Sequence, residues 1–156
     1  IDVHLMVQPV DDLIKMFADS GATSITFHPE ASKDPAKSLE LIENLGCQPG
    51  LVLNPDISLN VLEPYLEDIY MVLLMSVFPG FGGQKFIPEV LDKVKNLRQK
   101  IDEKNLEVRL EIDGGVNSEN ISDISSAGAD TFVAGSAIFN NKNYSNAIKN
   151  LRDNFY

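Results

Sequence analysis

The feature that most constrains this chain is a sixfold alternation of apolar run, Gly- or Pro-marked turn and amphipathic helix. The runs Ile1–Val7, Thr23–His28, Gly50–Asn54, Ile69–Val77, Val108–Asp113 and Thr131–Ala134 read as strands. Pro9 opens a helix carrying Val10, Leu13, Ile14 and Phe17, which Gly21 ends. Asp34-Pro35 caps a second, through Leu39, Ile42 and Leu45 to Gly46. A shorter helix is expected around Leu59–Leu66, and Pro88 opens one with Val90, Val94, Leu97 and Ile101. Asn117 is expected to cap a helix with Ile121 and Ile124, and a last helix runs through Ala147, Ile148 and Leu151. Strands apolar on both faces and separated by helices imply an α/β fold, a parallel sheet covered by helices. Six units in 156 residues give roughly 26 residues each, close to the ~30 of a βαβ module. Such units build either an open doubly wound sheet or a barrel of the TIM (β/α)8 type, and only the loops choose between them.

Charge narrows the partners. The 23 acidic residues outnumber 13 basic ones, a formal net charge of -10. Nucleic acid is thereby disfavoured, because gripping its phosphates needs clustered Lys and Arg. A small anion held by backbone amides remains compatible. The single cysteine, Cys47, allows no disulfide and no cysteine zinc site, which suits a reducing, cytoplasmic setting. The longest apolar run, Ile69–Met75, is too short to span a bilayer, and no signal-peptide pattern opens the chain. Ile1 is not a start methionine and the first strand reads as already under way. Residues 1–156 are therefore expected to be one incomplete barrel domain with about six of eight units.

Polar and glycine-rich signals gather where the strands end. His4 and His28 belong to the first two, Asn54 ends the third, and Pro79-Gly80-Phe81-Gly82-Gly83-Gln84 follows the fourth. Asp113-Gly114-Gly115 ends the fifth and Gly135-Ser136 the sixth. Dispersal over many strand ends favours a barrel, whose site lies on that rim. Gly80–Gly83 can turn backbone N–H groups toward a phosphate, although tight turns demand glycine too. Recurrence of Gly114-Gly115 and Gly135-Ser136 tips the balance toward phosphate. Asp113 is placed to act as general base or hard metal ligand, or else as a cap. Glu111, on the same strand face, is ranked as support. His4 is either a hydrogen-bonded core residue or, with Asp113, a ligand in an imidazole–carboxylate metal site. His28 and Glu30 are expected beside the pocket without an assigned role. Met6 and Met75 read as core residues, and Cys47 carries no reactivity signal.

Taken together, Asp2-Val3-His4-Leu5-Met6-Val7, Phe27-His28-Pro29-Glu30, Met75-Ser76-Val77-Phe78-Pro79-Gly80-Phe81-Gly82-Gly83-Gln84, Glu111-Ile112-Asp113-Gly114-Gly115-Val116 and Ala134-Gly135-Ser136-Ala137 resemble the ribulose-phosphate 3-epimerases across essentially the whole chain. The resemblance implies a ribulose-phosphate-binding barrel that interconverts D-ribulose 5-phosphate and D-xylulose 5-phosphate in the pentose phosphate pathway. It implies a divalent cation (Zn, Fe, Mn or Co) held by two histidines and two aspartates, with His4 and Asp113 matching one of each. Asp113 also matches an acid/base. His4, Met6, Met75, Gly80, Phe81, Gly82, Gly83, Gly114, Gly115, Gly135 and Ser136 match substrate-contacting positions, Met6 and Met75 lying over the reacting carbons. Two departures stand out. The family's His-x-Asp-x-Met-Asp-Gly pattern is absent from these residues, and Phe78 replaces a polar residue. The segment alone is thus expected to be inactive. A six-carbon ketose-phosphate 3-epimerase (allulose 6-phosphate) and a non-catalytic phosphate- or partner-binding remnant are the alternatives. A homo-oligomer is left open.

Overall fold

The computed structural model describes residues 1–155. Its elements alternate as the periodicity predicts. In chain order they are β1 (Asp2–Leu5), α1 (Asp11–Asp19), β2 (Ser24–Phe27), α2 (Pro35–Asn44), β3 (Gln48–Leu53), β4 (Met71–Met75), α3 (Val90–Glu103), β5 (Arg109–Asp113), α4 (Ile121–Ser126), β6 (Thr131–Val133), α5 (Ser136–Phe139) and α6 (Tyr144–Asp153). The six strands form one sheet in the order β1-β2-β3-β4-β5-β6. This is the succession of a wound β/α barrel wall, with no reversal of strand order of the kind that marks an open doubly wound sheet. Two compact units divide the chain, the first built mainly from residues 1–53 and 57–73, the second mainly from 74–105 and 109–155.

In the first unit β1, β2 and β3 pair in parallel, with His4 opposite Thr26 and Thr26 opposite Gly50. All four residues of β2 and five of six in β3 are buried, as strands covered on both faces must be. Val10 and Ile14 of the first helical stripe are fully buried, whereas Phe17, predicted on the same stripe, stays 40% exposed. The N-cap of α2 is as the sequence predicts: Asp34 accepts the backbone N–H of Lys37. Ser38 on that helix donates to Asp11 at 2.6 Å, tying α2 to α1. Around residues 59–66 the expected helix shrinks to a single 3-10 turn, Leu59–Leu62. Only Leu62 and Leu66 there reach the core, too few apolar anchors to extend a helix.

In the second unit α3 buries Val90, Val94, Leu97 and Ile101, the four positions that its sequence spacing singles out. Parallel pairing of β5 with β6 sets Asp113 opposite Val133. Asn117 caps the turn that leads into α4, as its position predicts: its carboxamide oxygen accepts the N–H of Glu119, its carbonyl accepts that of Ile121, and its own N–H goes back to the Asn120 side chain. Regular helix then starts at Ile121. The last helix, through Ala147, Ile148 and Leu151, is α6, and a four-residue α5 that the spacing does not predict starts directly after Gly135.

Candidate active site

The first unit gathers the two histidines. His4 lies on β1 opposite Thr26, and His28 stands two residues beyond Thr26, hence on the same side of the sheet. Their Nε2 atoms approach to 3.0 Å. A 3-10 turn over Pro29–Ala31 brings Glu30 back, its Oε1 3.7 Å from His28 Nδ1. Burial, with the neighbouring His28 adding to it, lowers the His4 pKa to about 4 against a smaller opposing pull from Asp2. Burial likewise depresses His28, Glu30 opposing. Both rings are therefore neutral near neutral pH, the form that binds metal. Met6, read as core, is instead 66% exposed at the strand end.

The second unit gathers the carboxylate and the glycine loops. Asp113 closes β5, half-buried, and burial raises its pKa above the ordinary carboxylate value. Its backbone is gripped from behind. Ser76, fully buried just past β4, donates its backbone N–H to the Asp113 carbonyl at 2.8 Å, and its hydroxyl reaches the Gly114 carbonyl at 2.6 Å. No side-chain hydrogen bond holds the Asp113 carboxylate among the described residues, so burial alone sets its charge. Glu111 is buried deeper in the same strand, and Met75 is buried beside Ser76.

The loop after β4 is closed by an amide that sequence reasoning passed over. Gln84 donates to the carbonyls of Phe78 and Phe81 at 2.7 and 2.9 Å, pinning Gly80–Gly83 into one turn. Phe81 is 75% exposed at its tip. Gly115 shows why the second glycine pair is needed. Its φ is +66°, and a Cβ there would run into the backbone of Phe86 and Gln84. The Gln84–Phe86 stretch of loop thus lies directly on the Asp-Gly-Gly turn. Gly135 and Ser136 are exposed at the start of α5, with open space around Gly135.

Of the missed features, Ser76 and Gln84 left a signal: each is a polar residue at the end of an apolar or glycine-rich run. The His4–His28 contact left none, because it depends on strand register. Among the described residues no three His, Cys, Asp or Glu side chains converge as a metal cage. The donors present still fit a divalent cation in kind: a neutral imidazole at His4 and an unanchored carboxylate at Asp113. No helix among the described residues is long and apolar enough to cross a membrane.

Six strands in winding order with intervening helices, and glycine turns at strand ends beside a carboxylate, define a TIM-barrel-type α/β enzyme fold. Solved structures agree on the fold. Orotidine 5'-phosphate decarboxylase from Pyrococcus horikoshii matches with a TM-score of 0.71 at 18% identity, over 99% of this chain and 73% of its own. KGPDC from Streptococcus mutans matches at 0.72 with 20% identity, over 93% and 66%. The sequence relationship is nearer. The profile of the ribulose-phosphate 3-epimerase family matches residues 1–139. The ribulose-phosphate 3-epimerase of Escherichia coli K12 is 53% identical over 152 residues, 97% of this chain and 68% of that enzyme. That of Serratia marcescens is 52% identical over 144 residues, 92% and 69%. The chain belongs to the ribulose-phosphate 3-epimerase family.

Proposed function

We propose that this chain carries the substrate-binding and one proton-transfer half of an epimerase acting at C3 of a ketopentose phosphate, D-ribulose 5-phosphate to D-xylulose 5-phosphate, a step of the pentose phosphate pathway. The observation that carries the reading is Asp113, a strand-end carboxylate with no side-chain anchor and a pKa raised by burial. Such a group is closer to the balance between base and acid than an exposed aspartate, as reversible proton transfer demands. Asp113 takes the C3 proton on one face, or returns it in the reverse direction, and a planar enediolate lies between the two epimers. Inversion requires a second group on the opposite face, and the family's pattern that supplies it does not occur in these residues.

Backbone N–H groups of Gly80–Gly83, Gly114–Gly115 and Gly135–Ser136 receive the phosphate, in keeping with the chain's acidic balance. Met6, Met75 and Phe81 shield the reacting carbons from water. His4 and Asp113 would hold the divalent cation, Zn, Fe, Mn or Co. When bound, the cation supplies electrophilic polarisation of the substrate's carbonyl and hydroxyl oxygens.

The test is conversion in D2O by the chain completed with a family N-terminal segment containing His-x-Asp. Solvent deuterium is expected at C3 of ribulose 5-phosphate, with allulose 6-phosphate the poorer competitor. Preference for allulose 6-phosphate would move the enzyme to six-carbon substrates, and absence of exchange with either would end the epimerase reading.

A further inference from the structure

Three residues of the first unit stand in series. His4 Nε2 lies 3.0 Å from His28 Nε2, and His28 Nδ1 lies 3.7 Å from Glu30 Oε1. The last distance is too long for a hydrogen bond, and Nδ1 of His28 is enclosed with no hydrogen-bond partner. An imidazole–imidazole contact at 3.0 Å needs one nitrogen bearing hydrogen and one offering a lone pair. Two arrangements meet that need, and they differ in what Glu30 faces.

If His28 donates from Nε2, its enclosed Nδ1 is a bare lone pair turned toward a carboxylate. Two acceptors then face each other, and the enclosed Nδ1 has no partner to offset the repulsion, an unfavourable arrangement. If His28 instead carries its hydrogen on Nδ1, that N–H dipole points at the negative Glu30 and Nε2 is free to accept. His4 must then hold its own hydrogen on Nε2, and its Nδ1 is left with the lone pair. His28 engages only Nε2 of His4, so in this tautomer Nδ1 keeps its lone pair for a ligand. Imidazole ligands are generally oriented in this way, by a partner on the ring nitrogen that does not bind.

We propose that His28, backed by Glu30, is a positioning residue that locks His4 in the Nε2–H tautomer and leaves Nδ1 as its ligating nitrogen. The metal part rests on the reading of His4 as a ligand; the tautomer does not.

The chain has only two histidines, so 15N-histidine labelling gives two imidazole spin systems, assigned with His28→Gln. In metal-free protein at about pH 8, above the ordinary imidazole pKa, His4 is expected to show a pyrrole-like Nε2 and a pyridine-like Nδ1. His28 is expected to show the reverse. His28→Phe, with folding checked by circular dichroism, removes the acceptor and lets the His4 tautomers mix. His28→Gln offers a carbonyl oxygen in its place and restores the single tautomer. In parallel, Zn2+ titration is expected to show affinity about 10- to 100-fold weaker in His28→Phe, recovered in part by His28→Gln. A pyrrole-like Nδ1 on wild-type His4, or a His4 tautomer unchanged in both His28 variants, overturns the positioning role. Zn2+ affinity unchanged in His4→Ala overturns the metal reading alone.

Discussion

The hydroxyl of Ser76 lies 2.6 Å from the carbonyl oxygen of Gly114, and the backbone N–H of Ser76 lies 2.8 Å from the carbonyl of Asp113. One fully buried residue past β4 thereby fixes the turn that presents the carboxylate at the end of β5. Ser76→Ala leaves the Gly114 carbonyl enclosed without its hydroxyl partner, a loss of about 1–3 kcal/mol. Urea unfolding should show that loss. In a completed, active enzyme the same change should lower kcat and raise KM together, because the Ser76 hydroxyl holds the carbonyls of both Asp113 and Gly114. An equal effect on Ser76→Ala and on a substitution remote from β5 would reduce Ser76 to ordinary core packing.

Gly115 and Gly82 should respond in opposite ways to the same added methyl group. Gly115 combines φ +66° with a backbone wall at Phe86 and Gln84, so Gly115→Ala should destabilise by about 1–3 kcal/mol or more through strain alone. Gly82 has open space where its Cβ would be, and Gly82→Ala should stay within about 0.5 kcal/mol of wild type. If the loop receives phosphate, Gly82→Ala nevertheless raises KM for the phosphorylated ketose. A side chain at Gly83 also meets no neighbour, and only its φ of +77° disfavours one. Chemical denaturation paired with KM for each variant separates the two roles.

The fold was legible because its signals are local and repeated. Val90, Val94, Leu97 and Ile101 announce α3 by spacing, and all four are buried. Where few apolar residues supply the signal, tertiary context decides. Leu62 and Leu66 support only a 3-10 turn. In the site, Asp113 and the glycines were legible as residue types at strand ends. The partnership of His4 with His28 was not, since it requires knowing that β1 and β2 pair with His4 opposite Thr26. Ser76 left a signal as a polar residue closing an apolar run, but what it holds is defined only once β4 lies beside β5.

Lys93 offers a pH signature away from the site. Its ammonium donates to the carbonyl of Asn54 at 2.7 Å, and burial lowers its pKa below 10.5, with Asp56 pulling the other way. A lysine whose folded pKa is depressed penalises the fold while it is protonated. That penalty fades as pH rises from the lowered pKa through 10.5, the unfolded value. Lys93→Met lacks the titration. The stability of wild type relative to Lys93→Met should therefore rise as pH climbs toward 10.5. Urea midpoints of both proteins across the alkaline range read it directly, and parallel curves would show that Lys93 titrates alike in folded and unfolded chains.

Asp113 separates a functional residue from a structural one by the sign of its effects. Its carboxylate is half-buried, has no side-chain hydrogen bond among the described residues and is disfavoured as an anion by its surroundings. A buried charge without a partner costs stability. Asp113→Asn keeps the shape and removes the charge, so metal-free protein should be as stable as wild type or more so. Metal retention and C3 proton exchange should move the other way. On the proposed roles, loss of a ligand carboxylate weakens Zn2+ or Mn2+ binding, and loss of an acid/base slows turnover by about 100-fold or more. The chelated protein gives the stability comparison by denaturation, and metal titration with D2O exchange in the completed enzyme gives the rest. If Asp113→Asn unfolds more easily and still exchanges C3 deuterium at the wild-type rate, Asp113 belongs to the scaffold and the proton must be handled elsewhere.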